Sequence, residues 1–214
     1  MTKTKKLFFD YGGLIANYDF NKGTLFRAHR LALDYLNSLN GHKINLTQLA
    51  KAHDQTIQTY LTARKDGSEW SMNKLMRLLL SNLGLNSNVP VSKVSEIYKQ
   101  NDHDSTPYPD TKRVLTELAT NRTLGIISNL PHDSLIYELK RDKLLDLFET
   151  VTISFEVGVR KPHPKIYQEA LRKAKVTPAE SFFISHDKEE VRGARKLGIE
   201  SLLVKSIKEV IGAV

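Results

Sequence analysis

The residue best suited to chemistry is Asp10, which directly follows the apolar run at residues 7–9. Such a run is typical of a buried strand, and a carboxylate at its end is costly unless it has a partner or a task. Open parallel sheets bind ligands beyond the carboxyl ends of their strands. Gly12 and Gly13 would let the chain turn sharply or approach a ligand closely. The segment fits either a catalytic carboxylate or an Asp-initiated turn.

A hydroxyl and an amide, Ser128 and Asn129, follow a second apolar run at residues 124–127. Side chains of this kind, with the exposed backbone amides beside them, can hold the oxygens of a bound phosphate. The same two residues could instead cap the helix that follows.

Lys161 lies in a loop that also contains Pro162 and Pro164. Two prolines restrict this segment to an extended conformation, which would hold Lys161 with little freedom to move. A fixed ammonium group beside a carboxylate could neutralise that carboxylate and a transferring phosphoryl group. The alternative is an ordinary lysine in solvent.

Two further acids, Asp187 and Glu190, follow the apolar run at residues 182–184. Their oxygens would suit Mg²⁺, which takes one or two carboxylates together with substrate phosphate and water. Alternatively, Asp187 caps the next helix and Glu190 favours its first turn.

The composition is that of a soluble globular protein, with 40% hydrophobic and 26% charged residues among 214. The absence of cysteine excludes disulfides, thiol nucleophiles and cysteine metal sites. No apolar run approaches the length of a membrane helix, and the first residues lack a cleavable signal pattern, so we expect a cytoplasmic protein.

The net charge is +8, but the lysines and arginines are scattered rather than grouped in a basic block. This favours a basic surface that attracts small anionic substrates over one that binds nucleic acid. We expect neither a nucleic-acid nor a membrane partner, and a monomer or a homodimer.

Helical spacing of apolar residues dominates the chain between residues 18 and 105, where no strand is predicted. Asn40-Gly41 is expected to end the first helix, and Ser71 to cap the third. The predicted helices begin at residues 20, 47, 72 and 91, and they end at residue 39, at Lys65-Asp66-Gly67, near Gly84 and at residue 100.

A polar stretch at residues 101–110 marks a domain junction, and strands alternate with helices beyond it. The predicted helices there are 111–119, 134–148, 164–174 and 189–197, and the strands are 124–127, 151–155, 182–184 and 201–204. This alternation predicts an α/β fold with a parallel sheet covered on both faces. The first strand would join that sheet, and the helical region would be an insert.

Four motifs in this order, with a helical insert after the first strand, resemble the haloacid dehalogenase (HAD) superfamily of hydrolases. The matching segments are residues 8–14, 126–129, 161–162 and 183–194, so the resemblance covers nearly the whole chain. It implies a Rossmann-like core formed by residues 1–17 and 106–214, and an all-helical cap domain formed by residues 18–105.

The resemblance implies that Asp10 is a nucleophile that forms a covalent acyl-phosphate, later hydrolysed by water. Ser128 and Asn129, with Gly12, would hold the phosphoryl oxygens, and Lys161 would balance the charge. The implied function is that of a Mg²⁺-dependent phosphatase acting on small phosphomonoesters such as a sugar phosphate or a nucleotide.

The resemblance also implies a ligand set for Mg²⁺. The cation would bind the carboxylate of Asp10, the carbonyl oxygen of Gly12, and an acid from the last motif, Asp187 or Glu190. It would screen the repulsion between carboxylate and phosphate.

Two positions depart from the family pattern. Gly12 stands where phosphatases usually carry a second aspartate that acts as general acid and base, a loss that could cost about two to four orders of magnitude in rate. Asp19, His132 or a water could substitute. Ser185-His186 occupies positions that usually carry acids, and His186 is a poor partner for Mg²⁺.

These departures keep two other functions open. The 2-haloacid dehalogenases use the same aspartate to attack carbon, need no metal, and have small polar residues in the last motif, although an aromatic residue usually occupies the position of Gly12. The chain could also be a HAD-fold binding protein with weak or no activity.

Overall fold

The computed structural model describes residues 5–39, 43–85 and 89–214. The predicted helix end at Asn40-Gly41 lies outside these residues. The chain separates into two compact units, one formed by residues 1–18 and 105–214 and the other by residues 19–104. Among the described residues, no helix is both long enough and apolar enough to cross a membrane.

The first unit is built on a sheet of five parallel strands in the order β5-β4-β1-β6-β7. The strands are β1 Lys6–Phe9, β4 Leu124–Ser128, β5 Phe148–Ile153, β6 Ser181–Ser185 and β7 Glu200–Leu203. The central strand β1 pairs with β4 and β6, so that Phe9 lies between Ile126 and Ile184. The predicted parallel α/β fold is confirmed.

Helices cover both faces of this sheet. They are α5 Thr111–Ala119, α6 Ser134–Arg141, α7 Ser154–Val157, α8 Pro164–Ala174 and α9 Lys188–Arg195. Leu7 and Phe9 belong to one apolar core cluster and Phe8 to another. Because side chains alternate along a strand, burial on both faces of the sheet requires the run of apolar residues at 7–9.

The helix predicted at residues 134–148 is wrong beyond Arg141. Lys143 adopts a left-handed conformation with φ of 56°, and the N–H of Leu144 donates to the carbonyl of Leu139. This arrangement is a common helix C-terminus. The strand that follows therefore starts at Phe148, earlier than the predicted residue 151.

Two short strands were not predicted. They are β2 Ala16–Asp19 and β3 Asp104–Pro107, which form a separate two-stranded sheet. Each has four residues, with buried and exposed positions mixed, and β3 lies wholly within the polar stretch at residues 101–110 that was interpreted as a junction. Strands of this length and polarity carry little periodic signal.

The second unit is helical and has its own apolar core. Its helices are α1 Lys22–Ser38, α2 Leu46–Ala63, α3 Met72–Asn82 and α4 Val91–Asn101. The side chains of Asn21 and Asn45 cap α1 and α2, and Ser71 caps α3 as predicted. The four predicted helices are confirmed, whereas a cap function for this unit stays a prediction.

Candidate active site

Polar side chains lie at the carboxyl ends of three neighbouring strands. Asp10 directly follows β1, Ser128 is the last residue of β4, and Ser185 is the last residue of β6. All three are buried, Asp10 at 5% exposure. The structure thus brings together side chains from distant parts of the sequence, at the sheet edge where α/β proteins bind ligands.

Lys161 is the cation of this edge, and its side chain is completely buried. Its Nζ donates to Asp10 Oδ1 at 2.5 Å and to the carbonyl of Ile127 at 2.7 Å, and it lies 2.9 Å from Glu190 Oε2. An ammonium group has three protons, and three oxygens surround this one. Lys161 is therefore fixed between two carboxylates rather than exposed to solvent.

Asn129 holds the loop that carries Lys161. Its Oδ1 accepts from the backbone N–H of Lys161 at 2.8 Å, and its Nδ2 donates to the carbonyl of Lys161 and to Glu190 Oε1. The side chain predicted to bind phosphate thus makes three contacts that position the lysine. Phosphate binding by Ser128 and Asn129 stays a prediction.

The charges of this cluster set the ionisation of its members. Burial raises the pKa of Asp10, but Lys161 and His186 outweigh it and hold the pKa below its usual value. Burial lowers the pKa of Lys161, but Asp10 and Glu190 outweigh it and raise the pKa. Asp10 is therefore an ionised carboxylate at neutral pH, the form that a nucleophile requires.

Glu190 differs from Asp10 because burial raises its pKa more than Lys161 lowers it. Ser185 Oγ donates to Oε2 of Glu190 at 2.8 Å, and the Tyr167 hydroxyl donates to its backbone carbonyl at 2.8 Å. With Asn129 on Oε1, both carboxylate oxygens of Glu190 are engaged by protein groups.

His186 contacts the other oxygen of the candidate nucleophile. Its Nδ1 lies 3.0 Å from Asp10 Oδ2, and this contact is the main reason that the pKa of His186 is raised. The sequence marks His186 only as a departure from the family pattern. Its position just after the predicted strand at residues 182–184 is the available signal, because the residues that follow parallel strands lie at one edge of the sheet.

The predicted magnesium ligands do not form a magnesium site in this arrangement. Asp187 Oδ1 accepts from the N–H groups of Glu189 and Glu190 and so caps α9. The oxygens of Glu190 contact Asn129, Ser185 and Lys161, and a ring nitrogen faces Asp10 Oδ2. These donors do not fit Mg²⁺, which prefers several oxygen ligands in near-octahedral geometry.

The turn after Asp10 is held by backbone hydrogen bonds. The N–H of Tyr11 donates to Asp10 Oδ1 at 2.8 Å, and the carbonyl of Tyr11 accepts from Ile15 and Ala16. Gly13 has φ of 81°, which favours glycine, whereas Gly12 does not lie in the left-handed region. The sharp turn expected of both glycines therefore depends on Gly13.

The suggested substitutes for the missing general acid have local partners. Asp19 Oδ2 accepts from the side-chain amide of Asn21 at 2.8 Å, and His132 Nδ1 accepts from the backbone N–H of Ser134 at 3.3 Å. These contacts account for one polar atom of each residue. A role for either in proton transfer stays a prediction.

A buried acid that sequence reasoning missed, Glu138, holds the residues around the glycine turn. The hydroxyl of Tyr11 donates to Glu138 at 3.2 Å and that of Tyr18 at 2.7 Å. Burial, reinforced by Glu138, raises the pKa of both tyrosines. Glu138 lies between Leu135 and Leu139 on the buried face of α6, and an acid there was the available signal.

Two solved structures are similar in fold to this chain. A 2-haloacid dehalogenase from Pseudomonas syringae pv. Tomato matches with a TM-score of 0.66 and 20% identity, over 94% of this chain and 86% of that one. A HAD phosphatase from Thermococcus onnurineus matches with a TM-score of 0.64 and 21% identity, over 98% of both. At such identities the likeness concerns the fold alone.

Curated relatives of two activities match about half of the chain. The glyceraldehyde 3-phosphate phosphatase of Methanothermobacter thermautotrophicus is 33% identical over 102 residues, which are 47% of this chain and 45% of that protein. The (S)-2-haloacid dehalogenase of Xanthobacter autotrophicus is 35% identical over 104 residues, 49% and 41% of the two chains. The chain thus spans less than half the length of these relatives.

The sequence pattern of one family extends over most of the chain. The haloacid dehalogenase-like hydrolases match residues 46–204, which include the second, third and fourth motifs. The first motif, which contains Asp10, lies outside the matched residues. The chain belongs to the haloacid dehalogenase-like hydrolases.

Proposed function

We propose that this chain hydrolyses small phosphomonoesters, such as a sugar phosphate or a nucleotide, through nucleophilic attack by Asp10. The observation that carries the proposal is the buried Asp10–Lys161 pair, which keeps the carboxylate ionised at the sheet edge. A net charge of +8 would favour the approach of an anionic substrate.

The reaction has two steps. An oxygen of Asp10 attacks phosphorus, the bond to the leaving oxygen breaks, and an acyl-phosphate forms. Water then attacks the same phosphorus, which releases phosphate and restores the carboxylate. Oδ1 accepts from Lys161 and from the Tyr11 N–H, whereas Oδ2 has one contact, with the ring of His186 at 3.0 Å. Oδ2 therefore keeps a lone pair with which it can attack while the ring holds it in place.

The remaining site residues have supporting roles in this proposal. Ser128 and Asn129, with the backbone at Gly12, would hold the phosphoryl oxygens, and Lys161 would balance their charge. The magnesium requirement implied by the family resemblance is not included, because the donors around Asp10 do not fit Mg²⁺. The helical region at residues 18–105 would act as the cap of a cytoplasmic enzyme.

The test is the hydrolysis of para-nitrophenyl phosphate by the wild-type chain and by Asp10→Asn. We expect turnover by the wild type and none by the variant, because an amide cannot form the acyl-phosphate. Asp146→Asn is a matched control, since Asp146 is exposed and lies outside the site. Activity retained by Asp10→Asn would refute the nucleophile assignment.

Dehalogenation is the second candidate, favoured by His186 at a position that usually carries a metal-binding acid. Asp10 would then attack the carbon that bears the halogen, displace halide, and form an ester that water hydrolyses. Release of chloride from 2-chloropropionate, without turnover of the phosphate ester, would support this function. Folded protein that is inactive in both assays would favour a binding protein.

A further inference from the structure

The ring of His186 lies beside the one oxygen of Asp10 that Lys161 does not hold. Its Nδ1 is 3.0 Å from Oδ2, while Oδ1 accepts from Lys161 and from the N–H of Tyr11. Both oxygens of the carboxylate therefore face nitrogen atoms. A hard divalent cation at Asp10 would have to compete with the ring for Oδ2, and it would gain a poor ligand if the ring stayed.

The backbone next to Asp10 leaves room for this ring. A Cβ atom built on Gly13 would lie 2.5 Å from Cε1 of His186 and 2.6 Å from Nε2. These distances are far inside van der Waals contact, so a larger residue at position 13 would displace the imidazole. At Gly12, by contrast, the nearest side-chain atom would be 4.0 Å away. The space that Gly13 leaves is occupied by His186.

The carboxylates of the same loop have other partners. Asp187 accepts from two backbone N–H groups at the start of α9, one of them at 2.7 Å. Glu190 accepts from Asn129 and from Ser185 and pairs with Lys161. Turning either acid toward Oδ2 of Asp10 would break charge-assisted hydrogen bonds, which are about twice as strong as neutral ones. The loop thus presents a ring, rather than an acid, to the nucleophile.

We propose that His186 takes the place of a divalent cation at Asp10: its ring holds Oδ2 and excludes the cation from the site. His186 is in this sense a positioning residue for the nucleophile. The inference that the cation is excluded rests on the contacts of Asp10, His186, Asp187 and Glu190, and it does not depend on which reaction the chain catalyses. The corollary, that phosphate-ester hydrolysis by this chain needs no divalent cation, rests on the function proposed above.

One substitution should reverse the arrangement. His186→Asp removes the ring from Oδ2 and adds a second carboxylate beside it, so that two acids become available to a cation. Carboxylates are ligands that Mg²⁺ and Mn²⁺ accept. The variant should therefore gain a cation site that the wild type lacks.

Binding of Mn²⁺, measured by titration calorimetry in the full chain, tests the exclusion without reference to activity. We expect no saturable binding at Asp10 in the wild type at millimolar Mn²⁺, and saturable binding in His186→Asp that is lost in the double variant with Asp10→Asn. Asn121→Asp is the control, because it adds the same acid at an exposed position before β4, at the other end of that strand from Ser128. It should bind no more Mn²⁺ than the wild type.

Binding of Mn²⁺ by the wild type that disappears on Asp10→Asn would overturn the proposal. So would a folded His186→Asp variant that does not bind. If that variant does not fold, which circular dichroism would show, the wild-type titration decides alone.

Hydrolysis of para-nitrophenyl phosphate tests the corollary. We expect EDTA to leave the wild-type rate unchanged, and to lower the rate of His186→Asp by about tenfold or more relative to the rate with Mg²⁺. A wild-type rate that requires Mg²⁺ would overturn the proposal. A wild type inactive under all conditions would refute the proposed function, while the Mn²⁺ titration would still decide whether the cation is excluded.

Discussion

Lys161 is the cation that pairs with two buried carboxylates, Asp10 and Glu190. Replacing it by methionine keeps most of the side-chain volume but leaves both acids without this counterion. We expect Lys161→Met to lower the free energy of unfolding by about 3 to 5 kcal/mol, the usual cost of breaking a buried pair. Activity should be lost as well, because the carboxylate would be displaced or protonated.

Urea unfolding followed by circular dichroism measures this cost. The comparison is Lys173→Met, because Lys173 pairs with Glu156 at 2.8 Å on the surface of the same unit. A surface pair contributes about 1 kcal/mol or less. If the two variants lose the same free energy of unfolding, solvent must already stabilise the charges of Asp10 and Glu190 without Lys161.

The missing acid two residues after the nucleophile can be restored by Gly12→Asp. Position 12 accepts a side chain, because the nearest atom to a Cβ there is 4.0 Å away and the backbone is not left-handed. If proton transfer limits the phosphatase, the added carboxylate should raise kcat by about a hundredfold or more.

The neighbouring glycine provides the control for that gain. Gly13→Asp should lower activity, because Gly13 has φ of 81° and its Cβ would collide with His186. Steady-state rates on para-nitrophenyl phosphate compare the two variants. A folded Gly12→Asp variant without a gain would show that proton transfer is not what limits the rate.

The sequence indicated which single residues could do chemistry, but it did not show which of these residues contact one another. Asp10 and Lys161 were identified because each stands at an unusual place, a strand end and a proline loop. The contact of His186 with Asp10 depends on β6 pairing with β1, which brings together segments about 175 residues apart. Likewise, nothing in the sequence around Glu138 indicates that its carboxylate accepts hydrogen bonds from Tyr11 and Tyr18.

The C-terminal end of α6 depends on the backbone conformation of one residue, Lys143. It ends α6 in a left-handed conformation with φ of 56°, which costs a residue with a Cβ roughly 1 kcal/mol or more. Lys143→Gly should therefore raise the free energy of unfolding by about 1 kcal/mol, less the added freedom of glycine in the unfolded chain. Lys140→Gly, at an exposed position inside α6, should instead lower it by about 1 kcal/mol.

Thermal and urea unfolding measure the change in the free energy of unfolding for both variants, which we expect to be a gain for Lys143→Gly and a loss for Lys140→Gly. A loss of stability in Lys143→Gly would mean that the lysine side chain contributes more than its backbone conformation costs.

The same turn explains which elements the sequence could predict. Apolar spacing continues past residue 141 at Leu144 and Leu147, so periodicity alone extended the helix to residue 148. The apolar spacing gave no sign that Lys143 is left-handed and that the helix ends there. Glycine or asparagine is the usual residue at such a helix end, and lysine is not. Capped helices were more predictable, as at Ser71, where the side chain accepts from the N–H of Lys74.

For the whole molecule, the two units have separate apolar cores. The sequence predicts two regions from a change in pattern, from helical spacing to strands that alternate with helices, because each architecture imposes its own period on buried residues. The polar interior of the helical unit was not visible. His29, His53 and Tyr98 lie on three different helices, and their rings pack together at centroid distances of 4.9 to 5.8 Å.

This ring cluster should make the helical unit sensitive to acid. Burial, with His29 nearby, lowers the pKa of His53 to about 4, although Asp54 and Asp102 oppose the shift. The folded form therefore binds a proton less readily than the unfolded chain, whose histidine pKa is about 6.5. Stability should fall as the pH decreases from about 6.5 to about 4, by roughly 3 kcal/mol from His53.

Fluorescence of Trp70 reports on this unit, because Trp70 is the one tryptophan of the chain and lies among residues 19–104. Thermal unfolding at about pH 7.5 and about pH 5 should show a lower midpoint at the acidic value. His53→Phe should reduce that difference, since phenylalanine can stack on Tyr98 without binding a proton.

A histidine of the other unit provides the control for this pH dependence. His163 caps α8 by accepting from the N–H of Lys165, and His163→Asn removes the histidine while asparagine can keep the cap. Because the substitution leaves the helical unit intact, the difference between the two midpoints should stay unchanged. A pH dependence that persists in His53→Phe would assign the acid sensitivity to other groups, with His29 as the next to replace, because burial lowers its pKa as well.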